Sequence, residues 1–254
     1  MVCNINSNTS FSKDEIIDLV NNFHDNGVLL VKGNRNEIKV FESKNFSLNV
    51  KSFKIPHFIN KIAYRYFRKS KARRSFEYAT ILLQKGIGTP QPIAFLEKFN
   101  WLGLVNSFYV SEQLETELTF RDLDWYPDFP DHENILRQFT KFTFSLHEKK
   151  IFFLDHSAGN TLIKKMPNGK YEFFLVDLNR MAFDVNMDFN KRMQNFSRLT
   201  HKREMVEVMS EEYAKYYNES SAVIFEKMWF FTNKFQEQFL KRRKLKKQLK
   251  FWKS

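Results

Sequence analysis

Hydrophobic and polar residues alternate in short runs along the first half of the chain, whereas the second half shows mostly helical spacing. The clearest alternation lies at 46–53, where Phe46, Leu48 and Val50 share one side. A period of two is typical of a strand with one buried face. We therefore predict a strand there, and further strands at 28–32, 37–42, 92–97 and 104–114.

Helical patterns surround these strands. Ser12 and Glu15 precede an apolar run and form the capping-box pattern that opens a helix. Further helices are predicted at 58–67, 71–84 and 134–149, with three more from about residue 187 onward and short strands at 151–153, 161–164 and 171–176. The change near residue 115 predicts an α+β fold with an N-lobe at 1–114 and a mostly helical C-lobe at 115–254.

The formal net charge of +12 is unevenly distributed. Residues 241–253 carry eight basic residues and no acidic residue, which leaves a charge of +4 for the rest of the chain. Such a cationic segment favours partners with phosphate or carboxylate groups, namely nucleic acid, anionic lipid or an acidic glycan.

Several classes of protein are disfavoured by what the chain lacks. It has no apolar run of about 18 residues, so we expect no transmembrane helix. Its N-terminus has no basic segment followed by an apolar one, so we expect no secretory signal. Cys3 is the single cysteine, which excludes an intramolecular disulfide and a cysteine-based metal site. The cytoplasm is the expected compartment.

Two aspartates and an asparagine form the most informative motif. Asp155 follows a hydrophobic run and stands five residues before Asn160, and Asp177 ends the next hydrophobic run after a turn at Pro167-Asn168-Gly169. Protein-kinase-like enzymes place a catalytic base and two Mg²⁺ ligands in this order. We expect Asp155 to be the base and Asn160 and Asp177 to lie side by side as oxygen ligands. The D-x-x-x-x-N spacing also recurs by chance in ordinary loops.

A strand lysine and a helix glutamate are the next parts that a kinase requires. Lys51 ends Leu48-Asn49-Val50-Lys51 on the third predicted strand, at the position of the lysine that binds ATP phosphates. Glu77 is the only acidic residue between Glu42 and Glu97, and it lies in a predicted helix. It can pair with Lys51, or with Arg73 or Arg74 on its own helix. Both alternatives stay open.

The remaining parts of a kinase are less distinct. Residues 111–114 are the expected hinge for the adenine of ATP, with Glu112 and Leu114 as contacts. The turn at Gly33-Asn34-Arg35-Asn36 can cover phosphates or be an ordinary hairpin turn, because no G-x-G-x-x-G is present. Phe153 and Leu154 stand where protein kinases carry His and Arg before the aspartate. This departure favours a constitutive small-molecule kinase over a regulated protein kinase.

Four segments carry a family resemblance: 50–56 (VKSFKIP), 70–77 (SKARRSFE), 86–90 (GIGTP) and 155–160 (DHSAGN). They resemble the lipopolysaccharide core kinases, which are the Kdo and heptose kinases of Gram-negative bacteria. The resemblance implies a protein-kinase-like fold, with ATP and Mg²⁺ as cofactors. It also implies phosphorylation of a sugar hydroxyl on the lipid A-linked inner core. The particular residues of these segments favour the Kdo-directed branch.

A lipid-linked acceptor would be met at the inner face of the inner membrane. Phe231, Phe235, Phe239, Leu245, Leu249 and Trp252 fall near one helical stripe among basic residues. This pattern predicts peripheral contact with an anionic membrane surface, although a solvated terminal helix is the alternative. The basic cluster at 65–74 can bind acceptor anions or be a solvated face. We expect no specific nucleic acid partner.

Two other functions remain open. The same scaffold can phosphorylate another small-molecule or protein acceptor, or it can be a degenerate kinase fold that serves as a binding module. Phosphotransfer would exclude the binding module, and the identity of the acceptor would separate the two kinases.

Overall fold

The computed structural model describes residues 1–34, 36–54 and 68–251, without the side chains of 247 and 249–251. The helix predicted at 58–67 lies outside the described residues, and so do Arg35, Arg65 and Trp252. Contacts divide the chain into two compact units. The first comprises Met1–Glu115 and Leu175–Asn179, and the second comprises Thr116–Phe174 and Arg180–Ser254. Nothing in the local sequence signals the return of 175–179 to the first unit.

An antiparallel six-stranded sheet forms the centre of the first unit, in the order β1-β5-β6-β4-β3-β2. Its strands are β1 (Val2–Ile5), β2 (Val28–Lys32), β3 (Asn36–Ser43), β4 (Phe46–Phe53), β5 (Pro92–Asn100) and β6 (Gly103–Glu112). Five of the six were predicted. The exception, β1, is a four-residue strand that pairs with Ala94–Glu97 of β5, so its structure depends on a distant segment.

Two helices cover the two faces of this sheet. Helix α1 (Lys13–Asn21) begins at the predicted capping box, in which Ser12 and Glu15 each accept a hydrogen bond from the other's backbone N–H. Its buried Ile16 and Val20 pack with Leu48 and Val50 of β4. Helix α2 (Lys71–Gln84) has the predicted bounds and packs its Ala72 against Phe53 and Phe95 on the opposite face.

The second unit is mostly helical. Its elements are β7 (Leu118–Thr119), α3 (Phe120–Trp125), α4 (His132–Glu148), β8 (Phe152–Phe153), β9 (Thr161–Lys165), β10 (Tyr171–Leu175, whose last residue belongs to the first unit), β11 (Met181–Ala182), α5 (Phe189–Asn195), α6 (Arg203–Ala214) and α7 (Ser221–Phe251). The predicted α+β class is confirmed. The short elements β7, α3 and β11 were not predicted, because two to six residues are too few to show a period.

One hydrophobic core holds the second unit together. Helix α4 contributes Ile135, Leu136 and Phe139, and the later helices contribute residues such as Met209 and Met228. The turn between β9 and β10 has the predicted Gly169 at a φ of 75°, a conformation that favours glycine. Among the described residues, no helix is long and apolar enough to cross a membrane.

Candidate active site

The loop from Asp155 to Asn160 is closed by a hydrogen bond between its two ends. It follows β8 and ends in a single 3₁₀ turn, Ala158–Asn160. The Nδ2 of Asn160 donates to the backbone oxygen of Asp155 at 2.9 Å. The five-residue spacing therefore has a structural consequence: it brings the predicted base and a predicted metal ligand together at one loop.

Two arginines that local sequence patterns did not identify contact Asp155. Arg198 Nη1 donates to Asp155 Oδ1 and, at 3.1 Å, to the backbone oxygen of Leu154. Its guanidinium also stacks 5.2 Å from the ring centroid of Phe235 in α7. Arg180 Nη1 lies 3.9 Å from Asp155 Oδ2. Because Arg198 is 43 residues away in sequence, only the fold reveals its role in orienting the carboxylate.

His156 anchors the same loop in the core. The ring is buried, stacks on that of Phe153 at an interplanar angle of 29°, and has its centroid 5.5 Å from that of Phe139. Burial lowers the pKa of His156 to about 3, because an imidazolium would lose its hydration there. The side chain is therefore neutral at physiological pH and acts as a packing residue.

Lys51 is buried in the middle of the sheet of the first unit. It lies on β4, with Ile38 of β3 and Tyr109 of β6 as its neighbours across the sheet. Its Nζ is 2.7 Å from Asp177 Oδ1, and its side chain is 10% exposed. A paired lysine at this depth is a fixed positive charge with little screening by water.

Asp177 adopts a left-handed backbone conformation, with a φ of 58°. Such a conformation is uncommon for residues other than glycine and is often found at functional sites. The Nδ2 of Asn179 donates to Asp177 Oδ1 at 2.8 Å, on the same oxygen that Lys51 contacts. Within the described part of the chain both contacts fall on Oδ1, which leaves the second oxygen, Oδ2, for a cation.

Glu77 pairs with basic residues near its own helix and not with Lys51. Its carboxylate is 2.8 Å from Lys69 Nζ and 2.9 Å from Arg73 Nε. Burial raises the pKa of Glu77, but hydrogen bonds from Lys69 and Arg73 outweigh it and leave the pKa below the usual value. Of the two alternatives left open by the sequence, the structure shows the one within the helix.

The expected hinge follows β6. The backbone N–H of Glu112 donates to Gln91 at 2.9 Å, so this donor is already used within the first unit. The Oε1 of the next residue, Gln113, accepts from Asn49 of β4 at 2.7 Å. The segment that leads to Leu114 is therefore tied to the lysine strand. Contacts of Glu112 and Leu114 with adenine remain a prediction.

The donor atoms present suit Mg²⁺. Asp177 offers a carboxylate oxygen, and Asn160 uses Nδ2 for its loop contact and so keeps the amide oxygen for a cation. Among the described residues, no group of three His, Cys, Asp or Glu side chains could hold a metal ion. A Mg²⁺ held by one carboxylate and one amide takes its other ligands from substrate phosphates and water. Asn160 and Asp177 belong to different units, and their shared ion stays a prediction.

Comparisons with known proteins identify the family and the fold. The family model described as "Lipopolysaccharide kinase (Kdo/WaaP) family" matches residues 39–217, which is more than two thirds of the chain. A solved structure described as "WaaP in complex with acyl carrier protein" has 13% sequence identity and a TM-score of 0.62, with 95% of this chain and 99% of that chain covered. No curated protein matches the chain.

The matched region contains the lysine strand, the Asp155–Asn160 loop and Asp177. The structural similarity shows that the fold is shared with WaaP, and the family implies phosphotransfer from ATP. The chain belongs to the Kdo/WaaP family of lipopolysaccharide kinases.

Proposed function

We propose that this protein transfers the γ-phosphoryl group of ATP to a sugar hydroxyl, on Kdo or heptose, in the inner core of lipopolysaccharide. Family membership supports the class of reaction. The observation that carries the proposal is the closed loop in which Asn160 binds the backbone of Asp155. This bond keeps the proposed base and the proposed metal ligand at the two ends of one short loop, which supports the order of parts known from kinases.

Asp155 is proposed to accept a hydrogen bond from the acceptor hydroxyl and to take its proton. Arg198 holds Oδ1, so the proposal assigns the other oxygen, Oδ2, to the acceptor hydroxyl; among the described residues Oδ2 has only the 3.9 Å contact with Arg180. A carboxylate held in one orientation places the hydroxyl for in-line attack, and this positioning is a large part of catalysis in phosphoryl transfer.

Lys51 is proposed to bind the phosphates of ATP. Its present partner is Asp177, which it contacts through a single carboxylate oxygen. Phosphate oxygens would offer the ammonium a larger negative charge, and Asp177 would then bind Mg²⁺ together with Asn160. The bound Mg²⁺ would offset the charge of the phosphate oxygens. In this proposal Glu77 supports α2 beside the lysine strand, and Glu112 and Leu114 meet adenine.

Peripheral membrane contact is proposed for the far half of α7, at the cytoplasmic face of the inner membrane. Between 241 and 246 the chain is exposed and carries five basic residues and no acidic one. The exposed fractions of Phe239, Leu240 and Leu245 are 50%, 58% and 56%. Apolar and cationic side chains together are typical of helices that lie on anionic membranes.

The test is transfer of radiolabelled γ-phosphate from Mg-ATP to Kdo–lipid A by the purified protein. We expect transfer by the wild type. Asp155→Asn should reduce turnover by at least about a hundredfold while leaving ATP binding intact, because general-base catalysis contributes on that order. Near-normal turnover by this variant would contradict the role of Asp155. Binding of Mg-ATP without transfer to Kdo or heptose acceptors would contradict the proposed acceptor.

A further inference from the structure

Positive charge surrounds the loop that holds the proposed base. Arg198 and Arg180 both lie at the Asp155 carboxylate, and Arg121 covers the same loop at Gly159. All of these residues belong to the second unit. Two guanidinium groups thus lie at the Asp155 carboxylate and a third lies at Gly159, so this loop carries an excess of positive charge.

The three arginines differ in the number of contacts that their guanidinium groups make within the protein. Arg198 is bound to Asp155, to a backbone oxygen and to the Phe235 ring, and its side chain is 32% exposed. Arg180 is 57% exposed, and its 3.9 Å separation from Asp155 is too long for a hydrogen bond. Arg198 therefore orients the base, whereas the guanidinium of Arg180 keeps its donors for another ligand.

The backbone holds Arg180 beside the base. Its carbonyl oxygen accepts a hydrogen bond from the N–H of Leu154 at 3.0 Å. The next residue, Met181, pairs with Phe153 in the β8–β11 ladder. Because these bonds involve only the backbone on the side of Arg180, its side chain can be replaced without loss of the anchor.

Arg121 approaches the loop from α3. Its Cζ lies 2.8 Å from the position that a Cβ on residue 159 would occupy, so the close approach depends on Gly159. The guanidinium also stacks 5.7 Å from the ring centroid of Trp125, which is 61% exposed. Among the described residues Arg121 forms no ion pair, so no acidic side chain of that part of the chain neutralises its charge.

We propose that Arg180 and Arg121 form an anion subsite for the acceptor, which binds a carboxylate or phosphate carried close to the hydroxyl that Asp155 activates. This inference rests on the proposed kinase function and specifies its substrate class. A neutral sugar hydroxyl accepts only single, weaker hydrogen bonds from a guanidinium group, whereas a carboxylate or phosphate accepts paired, charge-assisted ones, so the two exposed arginines favour an anionic acceptor. The subsite would also offset the repulsion between an anionic acceptor and the phosphates of ATP.

Steady-state transfer to three acceptors tests the subsite and identifies the anion. The acceptors are Kdo–lipid A, the same molecule with its Kdo carboxylates reduced to alcohols, and the same molecule without its lipid A phosphates. With intact Kdo–lipid A, Arg180→Gln should raise KM by roughly tenfold to a hundredfold and largely retain kcat. Arg121→Gln should act in the same direction, and Arg180→Lys should have a smaller effect because it keeps only the charge.

The rise in KM caused by Arg180→Gln should disappear with the acceptor that lacks the anion bound by Arg180. If the rise in KM is absent with the carboxyl-reduced acceptor, Arg180 binds the carboxylate of the sugar acid. If it is absent with the dephosphorylated acceptor, Arg180 binds a phosphate. Arg203→Gln is the matched control, because Arg203 is 61% exposed and pairs with Glu207 in α6. A rise in KM that is equal for all three acceptors, or equal to that caused by Arg203→Gln, would overturn the subsite.

Calorimetric binding of Kdo–lipid A without ATP separates this inference from the proposed function. Binding that weakens in Arg180→Gln without any transfer by the wild type would overturn the kinase function alone. Transfer by the wild type with no effect of Arg180→Gln would overturn the subsite alone. Absence of both binding and transfer would overturn both.

Discussion

At the scale of single residues, the two proposed carboxylates are held by different partners. Asp155 is oriented by Arg198, while Asp177 is paired with the buried Lys51. In an active kinase the lysine pairs with a helix glutamate and the aspartate binds metal. In the proposed mechanism the Lys51–Asp177 pair opens when Mg-ATP binds, so that Lys51 contacts phosphate and Asp177 binds the metal.

Substitution of Asp177 tests this exchange. Asp177→Asn keeps the size of the side chain and removes its charge, so the affinity for Mg-ATP should fall by about tenfold or more, since a charge-assisted contact is lost. The measurement is calorimetric binding of ATP with Mg²⁺ and with EDTA. The variant should bind ATP almost equally in the two conditions. An unchanged Mg²⁺ dependence would exclude Asp177 as a ligand.

At the scale of elements, α7 serves two different purposes along its length. Its first half is packed in the core of the second unit, with Ile224 and Met228 fully buried. Phe235 then stacks on Arg198, which orients the proposed base. Residues 237–246 of the helix are exposed, and five of the last six of these are basic. One helix thus joins the core, the catalytic loop and the proposed membrane surface.

Neutralising the exposed half tests the membrane contact. Replacement of Lys241, Arg242, Arg243, Lys244 and Lys246 by Gln should abolish binding to vesicles that contain phosphatidylglycerol, because each basic residue contributes about 1 kcal/mol at an anionic surface. The measurement is cosedimentation with vesicles at low and high salt.

Pure phosphatidylcholine vesicles are the control, and neither protein should bind them strongly. Phe239→Ala with Leu245→Ala keeps the charge and tests the apolar contribution separately. Equal binding of wild type and the neutralised variant to anionic vesicles would contradict the proposal.

At the scale of the whole molecule, two buried histidines make stability depend on pH. Burial lowers the pKa of both His147 and His156 to about 3. In the unfolded chain their pKa is about 6.5. Below that value the unfolded state binds protons that the folded state does not, so stability is complete above pH 6.5 and falls as the pH drops toward 3.

Urea unfolding at pH 7.5 and at pH 5 measures this loss. Each histidine should contribute a decline of up to about 1.4 kcal/mol per pH unit below the unfolded-state pKa. His156→Phe places another ring beside Phe153 and Phe139 and should remove one of the two contributions. The comparison uses the pH slope, so a change in absolute stability does not affect it. An identical slope in the variant would be contrary to the expected titration.

Local patterns along the chain were sufficient for most of the secondary structure and for the order of the kinase parts. Strands β2 and β4 and helix α2 have the predicted bounds, because alternation, capping residues and turns are encoded within a few neighbouring residues. The Asp155–Asn160 loop could also be recognised in the sequence, since its closing hydrogen bond spans only five positions. The family resemblance then indicated which reaction to expect, the phosphorylation of a sugar hydroxyl.

The partners of the charged residues were decided by the tertiary structure. Lys51 meets Asp177 over a separation of 126 residues, and Glu77 meets Lys69 and Arg73 instead of the lysine strand. Arg198, Arg180 and Arg121 come from three separate segments of the chain to one loop. Ion-pair partners do not recur at a regular spacing in the sequence as the apolar residues of helices and strands do. An arginine can pair with any carboxylate that the fold brings near it. Which pairs form is therefore determined only when the core is packed.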